Sequence, residues 1–109
     1  MDFIFAEDIA RANIAAADST ITDEVFNIAS GTETSLNDLA HLLLRIMGSS
    51  AAPEYGPERT VNAVPRRLAD VSKAKRLLGF EASVSIEEGL RRLVGWWRAE
   101  RRFSEAIPA

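Results

Sequence analysis

Three arginines, Arg59, Arg66 and Arg67, fall inside the stretch Pro57–Asp70, together with Asn62 and the prolines Pro57 and Pro65. A guanidinium presents a planar fork of N–H donors that meets a phosphate or carboxylate through two bonds at once. Prolines restrict the backbone around the forks, which lowers the entropy lost in holding them in place. Asn62 adds a donor and an acceptor suited to a sugar or phosphate oxygen. The stretch reads as an anion-binding loop, with Arg59 as first candidate and Asn62, Arg66 and Arg67 behind it. The competing reading puts Arg66 and Arg67 on a short edge strand, one in an ion pair and the other in water.

Other chemistry finds no support in residue types and spacing. Neither G-x-G-x-x-G nor G-x-x-x-x-G-K-[ST] occurs, so no glycine-rich phosphate cradle or dinucleotide fingerprint is expected. The chain has no cysteine and one histidine, and no His/Asp/Glu set has zinc spacing. No metal site is expected. His41 lies off the apolar stripe of its helix and reads as a surface residue, which leaves every serine without a base. Tyr55 is followed four positions later by Arg59, not by a lysine. Asp8, Asp38, Asp70 and Glu88 all stand at expected helix starts, where the helix dipole favours negative charge. No catalytic residue is assigned, and the residues point to a binding or interaction part.

The loop needs elements to hold it, and the hydrophobic pattern supplies them. Asp2–Phe5 reads as a short strand, followed by a helix from Ile9 to about Ala17 capped by Asp8. Ala10, Ile14 and Ala17 share one face of that helix. Val25–Ala29 suits a buried strand. Ser35 and Asp38 form a variant capping box, followed by a stripe of Leu36, Leu39, Ala40, Leu43, Ile46 and Met47 that Gly48 stops. Ala52–Gly56 is a candidate edge strand. Asp70 caps a helix over Val71–Leu78, which Gly79 ends, and Phe80–Val84 is extended. Ser85-Ile86-Glu87-Glu88 is a capping box for a last helix that turns Ile86, Leu90, Leu93, Val94 and Trp97 inward, with Trp96 at the edge of the stripe and both indoles read as core. The expected architecture is an α/β chain, in the form of an α+β fragment, with about four helices and a few short strands. One domain is expected over 1–102, with 103–109 as a frayed tail.

Composition sets outer limits. The chain has 109 residues, 47% of them hydrophobic and 27% charged, as in an ordinary globular domain. No apolar run is long enough to cross a bilayer, and the first residues lack the pattern of a signal peptide. Absence of cysteine is compatible with the cytoplasm, the expected location. Residues 1–58 carry two arginines against ten acids, and residues 59–109 carry eleven Lys/Arg against six acids. A basic half can serve nucleic acid, but the net charge of -3 argues against it.

Five segments, taken in order, resemble a known family. Asp2-Phe3-Ile4-Phe5-Ala6-Glu7-Asp8-Ile9-Ala10-Arg11-Ala12 is similar to the "RDF…V-x-D…A-x-A" segment of the extended short-chain dehydrogenases/reductases. Val25-Phe26-Asn27-Ile28-Ala29-Ser30-Gly31 and Thr34-Ser35-Leu36 resemble "VFNIGSG…TSL". Leu68-Ala69-Asp70-Val71-Ser72-Lys73-Ala74, then Leu78-Gly79-Phe80, resembles "AD-x-SKA…LGW". Ser85–Leu90 resembles "SLEEGL". The resemblance implies the C-terminal, substrate-binding part of an NAD-dependent epimerase/dehydratase acting on nucleotide sugars, close to UDP-glucose 4-epimerase. It implies a UDP-sugar substrate, a Rossmann domain supplied by the earlier part of such enzymes, and a diphosphate-binding arginine matched by Arg59. Arg59 stands eleven residues before Asp70 where the family has ten, and Asn62-Ala63 replaces its Gly-Asp. The family's cofactor fingerprint and Tyr-x-x-x-Lys pair belong to that earlier part, so NAD is implied for the parent enzyme and no cofactor for this chain, which is expected to be inert in isolation. The alternative is a small self-associating interaction domain without a ligand.

Overall fold

The computed structural model describes residues 1–58, 64 and 66–106, with side chains through residue 102. Four helices follow one another: α1 (Ala6–Asp18), α2 (Leu36–Met47), α3 (Ser72–Leu78) and α4 (Ile86–Ala106). Local sequence explains most of their ends. Ser35 Oγ accepts from the Asp38 amide at 3.0 Å and opens α2. Asp70 Oδ1 accepts from the Ser72 amide at 2.9 Å ahead of α3, and Ser85 Oγ accepts from the Glu88 amide at 3.2 Å ahead of α4. Gly48 and Gly79 close α2 and α3 in the left-handed region, at φ 68° and 62°. Of the expected tail, residues 107–109 lie outside the described residues.

Three expectations are corrected. First, no strand forms among the described residues, and their one β pairing is an isolated antiparallel bridge between Asp2 and Glu33. A strand needs a laddered neighbour, and 2–5, 25–29 and 52–56 find none there. Second, α1 begins at Ala6, and Phe5 occupies its N-cap without a side-chain bond. Asp8 is inside the first turn and points inward, so Asp8 and Ala12 are buried while Ile14 is 61% exposed. The face that carries Ala10, Ile14 and Ala17 is exposed. Third, Trp96 and Trp97 are exposed, as is Leu93; on α4 it is Val94, 6% exposed, that reaches the interior.

The core is small. Ala12, Ala74 and Phe80 form its centre, with Ile4, Phe26, Ile28 and Leu78 packed around them. A second contact joins α2 to α4, where Arg98 Nη2 donates to the carbonyl of Met47 at 2.9 Å and satisfies the C-terminal end of α2. α1 is fastened to α4 through Phe5, whose ring lies under the Arg92 guanidinium at 5.6 Å and against Gly89. A Cβ on Gly89 would stand 3.0 Å from Phe5 Cδ2, so close approach of the ring requires glycine there. The Cα radius of gyration is 17.7 Å, against about 13 Å for a compact chain of this length. The accessible surface is 8606 Å², against roughly 6,000 Å² for a self-contained globular protein of this size. The chain spreads its elements instead of closing them around one interior.

Candidate functional site

Two polar junctions hold the loops in place. The first centres on Asp2. Its Oδ1 accepts from the Ser30 amide at 2.8 Å and from Ser30 Oγ, and its Oδ2 accepts from the Gly31 amide at 2.9 Å. The Thr34 amide donates to the Met1 carbonyl at 2.8 Å. The 30–34 turn is thus tied down at both ends. From this turn Glu33 reaches Arg66: the Arg66 Nε donates to Oε1 at 2.9 Å, and Nη2 donates to Oε2. The Arg66 hydrogen bonds hold the Glu33 carboxyl below its ordinary range, and Glu33 in return raises the guanidinium.

The second junction is buried. Asp8 is 0% exposed, and both its oxygens are used. Oδ2 accepts from the amides of Ser83 and Val84 at 3.1 and 3.0 Å, while Oδ1 accepts from Ser83 Oγ at 3.1 Å and from Arg11 Nη2. Arg11 Nη2 also donates to the Glu81 carbonyl at 3.2 Å, and its guanidinium lies over the Phe80 ring at 5.4 Å. Burial alone would raise the Asp8 carboxyl. The Arg11 bond and the Ser83 and Val84 donors outweigh it and hold the group at about 2. A carboxylate so acidic, closed off and fully bonded is a structural clamp between α1 and the segment before α4, not a proton-transfer group.

The arginine stretch is only partly within view. Arg59 and Asn62 lie outside the described residues. Arg66 is committed to Glu33 although its side chain remains 72% exposed. Arg67 is exposed and has no hydrogen-bond or ionic partner among the described residues. The ion-paired and solvated pair foreseen for Arg66 and Arg67 is therefore present, but not on an edge strand. His41 is exposed, with Nδ1 2.7 Å from the Asn37 carbonyl oxygen. Sequence reasoning missed Glu33, because nothing local marks an acid whose partner lies 33 positions away.

Two open cavities adjoin these junctions. One, of about 320 Å³, runs beside the 30–34 turn and carries the hydroxyl residues Ser30, Thr32, Thr34, Ser83 and Ser85 with Phe3. The other, of about 410 Å³, is apolar and is formed by Phe3, Phe5, Leu39, Ile86, Leu90 and Leu93 among others. Lys73 anchors α3 to the 24–25 segment, donating to Glu24 Oε2 at 2.6 Å and to the Val25 carbonyl at 2.9 Å.

No family model matches the chain. Individual proteins do. UDP-glucuronate 4-epimerase of Thermodesulfobacterium geofontis is 40% identical over 96 residues, which is 87% of this chain and 29% of that protein. A UDP-glucose 4-epimerase of Mycolicibacterium smegmatis is 29% identical over 97 residues, 89% of this chain and 31% of its own. Among solved structures, the Thermotoga maritima UDP-glucose 4-epimerase with UDP-glucose matches with a TM-score of 0.85 and 39% identity, over 91% of this chain and 31% of that one. Bordetella bronchiseptica WbmF, in complex with NAD+ and UDP, matches with a TM-score of 0.81 and 41% identity, over 96% of this chain and 31% of that one. This chain is homologous to the C-terminal part of the extended short-chain dehydrogenases/reductases. It spans about 30% of the length of the relatives it matches. Its "AD-x-SKA" segment leads into α3, and its "S-x-E-E-G-L" segment opens the last helix, α4. Among the described residues, no helix is long and apolar enough to cross a membrane, and no cluster of three or more His, Asp or Glu is placed to hold a metal ion.

Proposed function

We propose that this chain is the nucleotide-sugar-binding part of an NAD-dependent sugar-nucleotide epimerase or dehydratase of the UDP-glucose 4-epimerase type. The observation that carries the reading is the fold match, at 39% identity over 91% of the chain, to an epimerase solved with UDP-glucose. Within this reading Arg59 serves the diphosphate, with Asn62, Arg66 and Arg67 as neighbours that supply further donors. Of the described members Arg67 is the one whose fork has no partner among the described residues. The sequence holds neither a dinucleotide fingerprint nor a Tyr-x-x-x-Lys pair, so its residues do not fit NAD, and no hydride or proton transfer is assigned to them. What they do is orient a substrate whose chemistry takes place elsewhere. A Rossmann domain is the partner this reading requires. It would cover the surplus surface and give segments 2–5 and 25–29 a sheet to join. Isothermal titration of the 109-residue chain with UDP tests the proposal. Binding that weakens at least ten-fold on Arg59→Ala supports it, and no heat signal with millimolar UDP or UDP-glucose refutes a retained site.

A second reading, self-association without a ligand, is favoured by a separate observation. Ile14, Val25 and Trp96 are 61%, 83% and 60% exposed, and surplus apolar surface drives association. Light scattering decides it: a strict monomer at high concentration rules it out.

A further inference from the structure

We propose that a second copy of this chain covers the open half of α4: two α4 helices pair antiparallel across Leu93, and Trp97 of each copy enters the apolar groove of the other. The inference rests on the self-association reading above, not on the nucleotide-sugar reading, and it goes further by naming the surface and the stoichiometry, a two-fold dimer.

Ile86, Leu90, Leu93 and Trp97 recur at intervals of four, three and four positions, which places them along one side of α4. The chain covers only the start of that side. There Ile86 and Leu90, with Phe3, Phe5 and Leu39, bound the open apolar groove of about 410 Å³, and Leu93 lines it too. From Leu93 onward the stripe is uncovered: Leu93 is 50% exposed, Trp96 60% and Trp97 41%. One helix therefore carries an unfilled groove and, about one turn further on, two unburied indoles. An α-helix rises about 1.5 Å per residue, so Trp97 lies roughly 6 Å beyond Leu93 and Gly89 roughly the same distance before it. When two copies cross antiparallel at Leu93, Trp97 of one comes beside Gly89 and Leu90 of the other, at the groove, and the two-fold axis repeats the contact. A parallel pair would set indole on indole and leave both grooves empty. Charge selects the same direction. Glu87 and Glu88 open α4, Glu7 joins them through Arg92, and these acids outnumber Arg91 and Arg92, which bond to them. Past Trp97 stand Arg98, Arg101 and Arg102, against Glu100 alone among positions 98–102. The Arg101 guanidinium lies over the Trp97 ring at 5.0 Å, so an indole entering the groove brings a cation to the acidic end of the other α4. The area suffices as well. The 8606 Å² of accessible surface exceeds the roughly 6,000 Å² of a self-contained protein of this size by more than the roughly 800 Å² per partner that a stable interface buries.

Trp96 and Trp97 are the two tryptophans of the chain, so indole emission reports on this face and no other. Sedimentation velocity of the full 109-residue chain, up to about 1 mM, is expected to show a monomer–dimer equilibrium, with tryptophan emission moving to the blue over the same concentration range. Leu93→Glu puts a charge at the crossing point and leaves both indoles in place. It should raise the dissociation constant about ten-fold or more and hold emission at its dilute position. Arg101→Glu leaves the apolar stripe intact and should weaken the dimer about five-fold at low salt, a difference that shrinks at about 1 M salt. Circular dichroism of dilute Arg101→Glu should match the unaltered chain, since Arg101 is exposed. If the chain dimerises while its emission stays constant, or if either variant dimerises as tightly as the unaltered chain, the α4 pairing fails and self-association stands. A stable assembly other than a dimer also overturns the two-fold pairing. A strict monomer with constant emission at about 1 mM overturns both.

Discussion

Replacing Asp8 is the sharpest test of how α1 is held. In Asp8→Ala, the amides of Ser83 and Val84 lose their acceptor, and Arg11 loses its charged partner at Oδ1. Each orphaned amide costs about 1 kcal/mol at the lower end of the usual range, and the charge-assisted bond adds about 1 kcal/mol more. Arg11 keeps the Glu81 carbonyl and Ser83 Oγ, which limits the loss. The expected destabilisation is about 3 kcal/mol, read as a shift in the urea midpoint at neutral pH. Asp8→Asn adds a pH arm. The folded carboxyl sits at about 2 and the unfolded one at 3.8. Because the folded value is the lower, the stabilisation is fully present above pH 4, declines as pH falls through that interval, and is gone below pH 2. The difference corresponds to about 2 kcal/mol. The gap between the unaltered chain and Asp8→Asn should therefore close by that amount between pH 5 and pH 2. Glu33, Asp70 and Glu87, whose carboxyls are also lowered, are common to both proteins and cancel from the comparison. A midpoint shift under 0.5 kcal/mol (roughly a third of the smallest net value of one charged hydrogen bond) or a gap that does not move with pH would refute the clamp.

Other positions give independent outcomes. Ser35→Ala removes the acceptor for the Asp38 amide and should cost about 1 kcal/mol in urea unfolding. Gly89→Leu forces a branched side chain against the Phe5 ring and should abolish the cooperative transition, whereas Gly95→Ala, with open space around it, should stabilise α4 by up to about 1 kcal/mol. Phe80→Ala opens the centre of the core and should cost about 3–4 kcal/mol. Ile14→Asp and Val25→Asp place charges on surface that is already wet, so melting should be unchanged within error while any concentration-dependent scattering falls.

What could be read from sequence alone was largely what neighbours within a few positions decide. Ser35, Ser85, Asp70, Gly48 and Gly79 act on amides and carbonyls in their own turn of helix, so their roles were visible. Asp8 has the same residue type and a similar position, but its partners lie 75 and 76 residues on, and a capping rule cannot see them. The α1 stripe failed for a related reason: periodicity shows that a helix has an apolar face, not which neighbour is present to cover it. Ile14, Val25 and the two indoles are apolar residues whose cover does not come from the described residues. The strands failed because an extended segment becomes a strand only with a partner. Of the arginine stretch, composition identified the residues but not the acid that holds Arg66, since Glu33 stands on a turn without any local pattern to mark it.

The Asp8 clamp also bears on the order in which this chain takes shape as it is made. A helix of 13 residues such as α1 is marginal by itself in water. Its inward carboxylate has no donor from the loop until Ser83 and Val84 exist, and translation at about 5–20 residues per second delays them by roughly 4–15 s. During that interval α1 must persist as a fluctuating segment whose inner acid has Arg11 alone as its partner. Closure joins the first helix to the approach of the last one, a contact far along the chain, and such contacts slow folding. The clamp makes α1 one of the last of these four helices to settle, though it is synthesised before the other three.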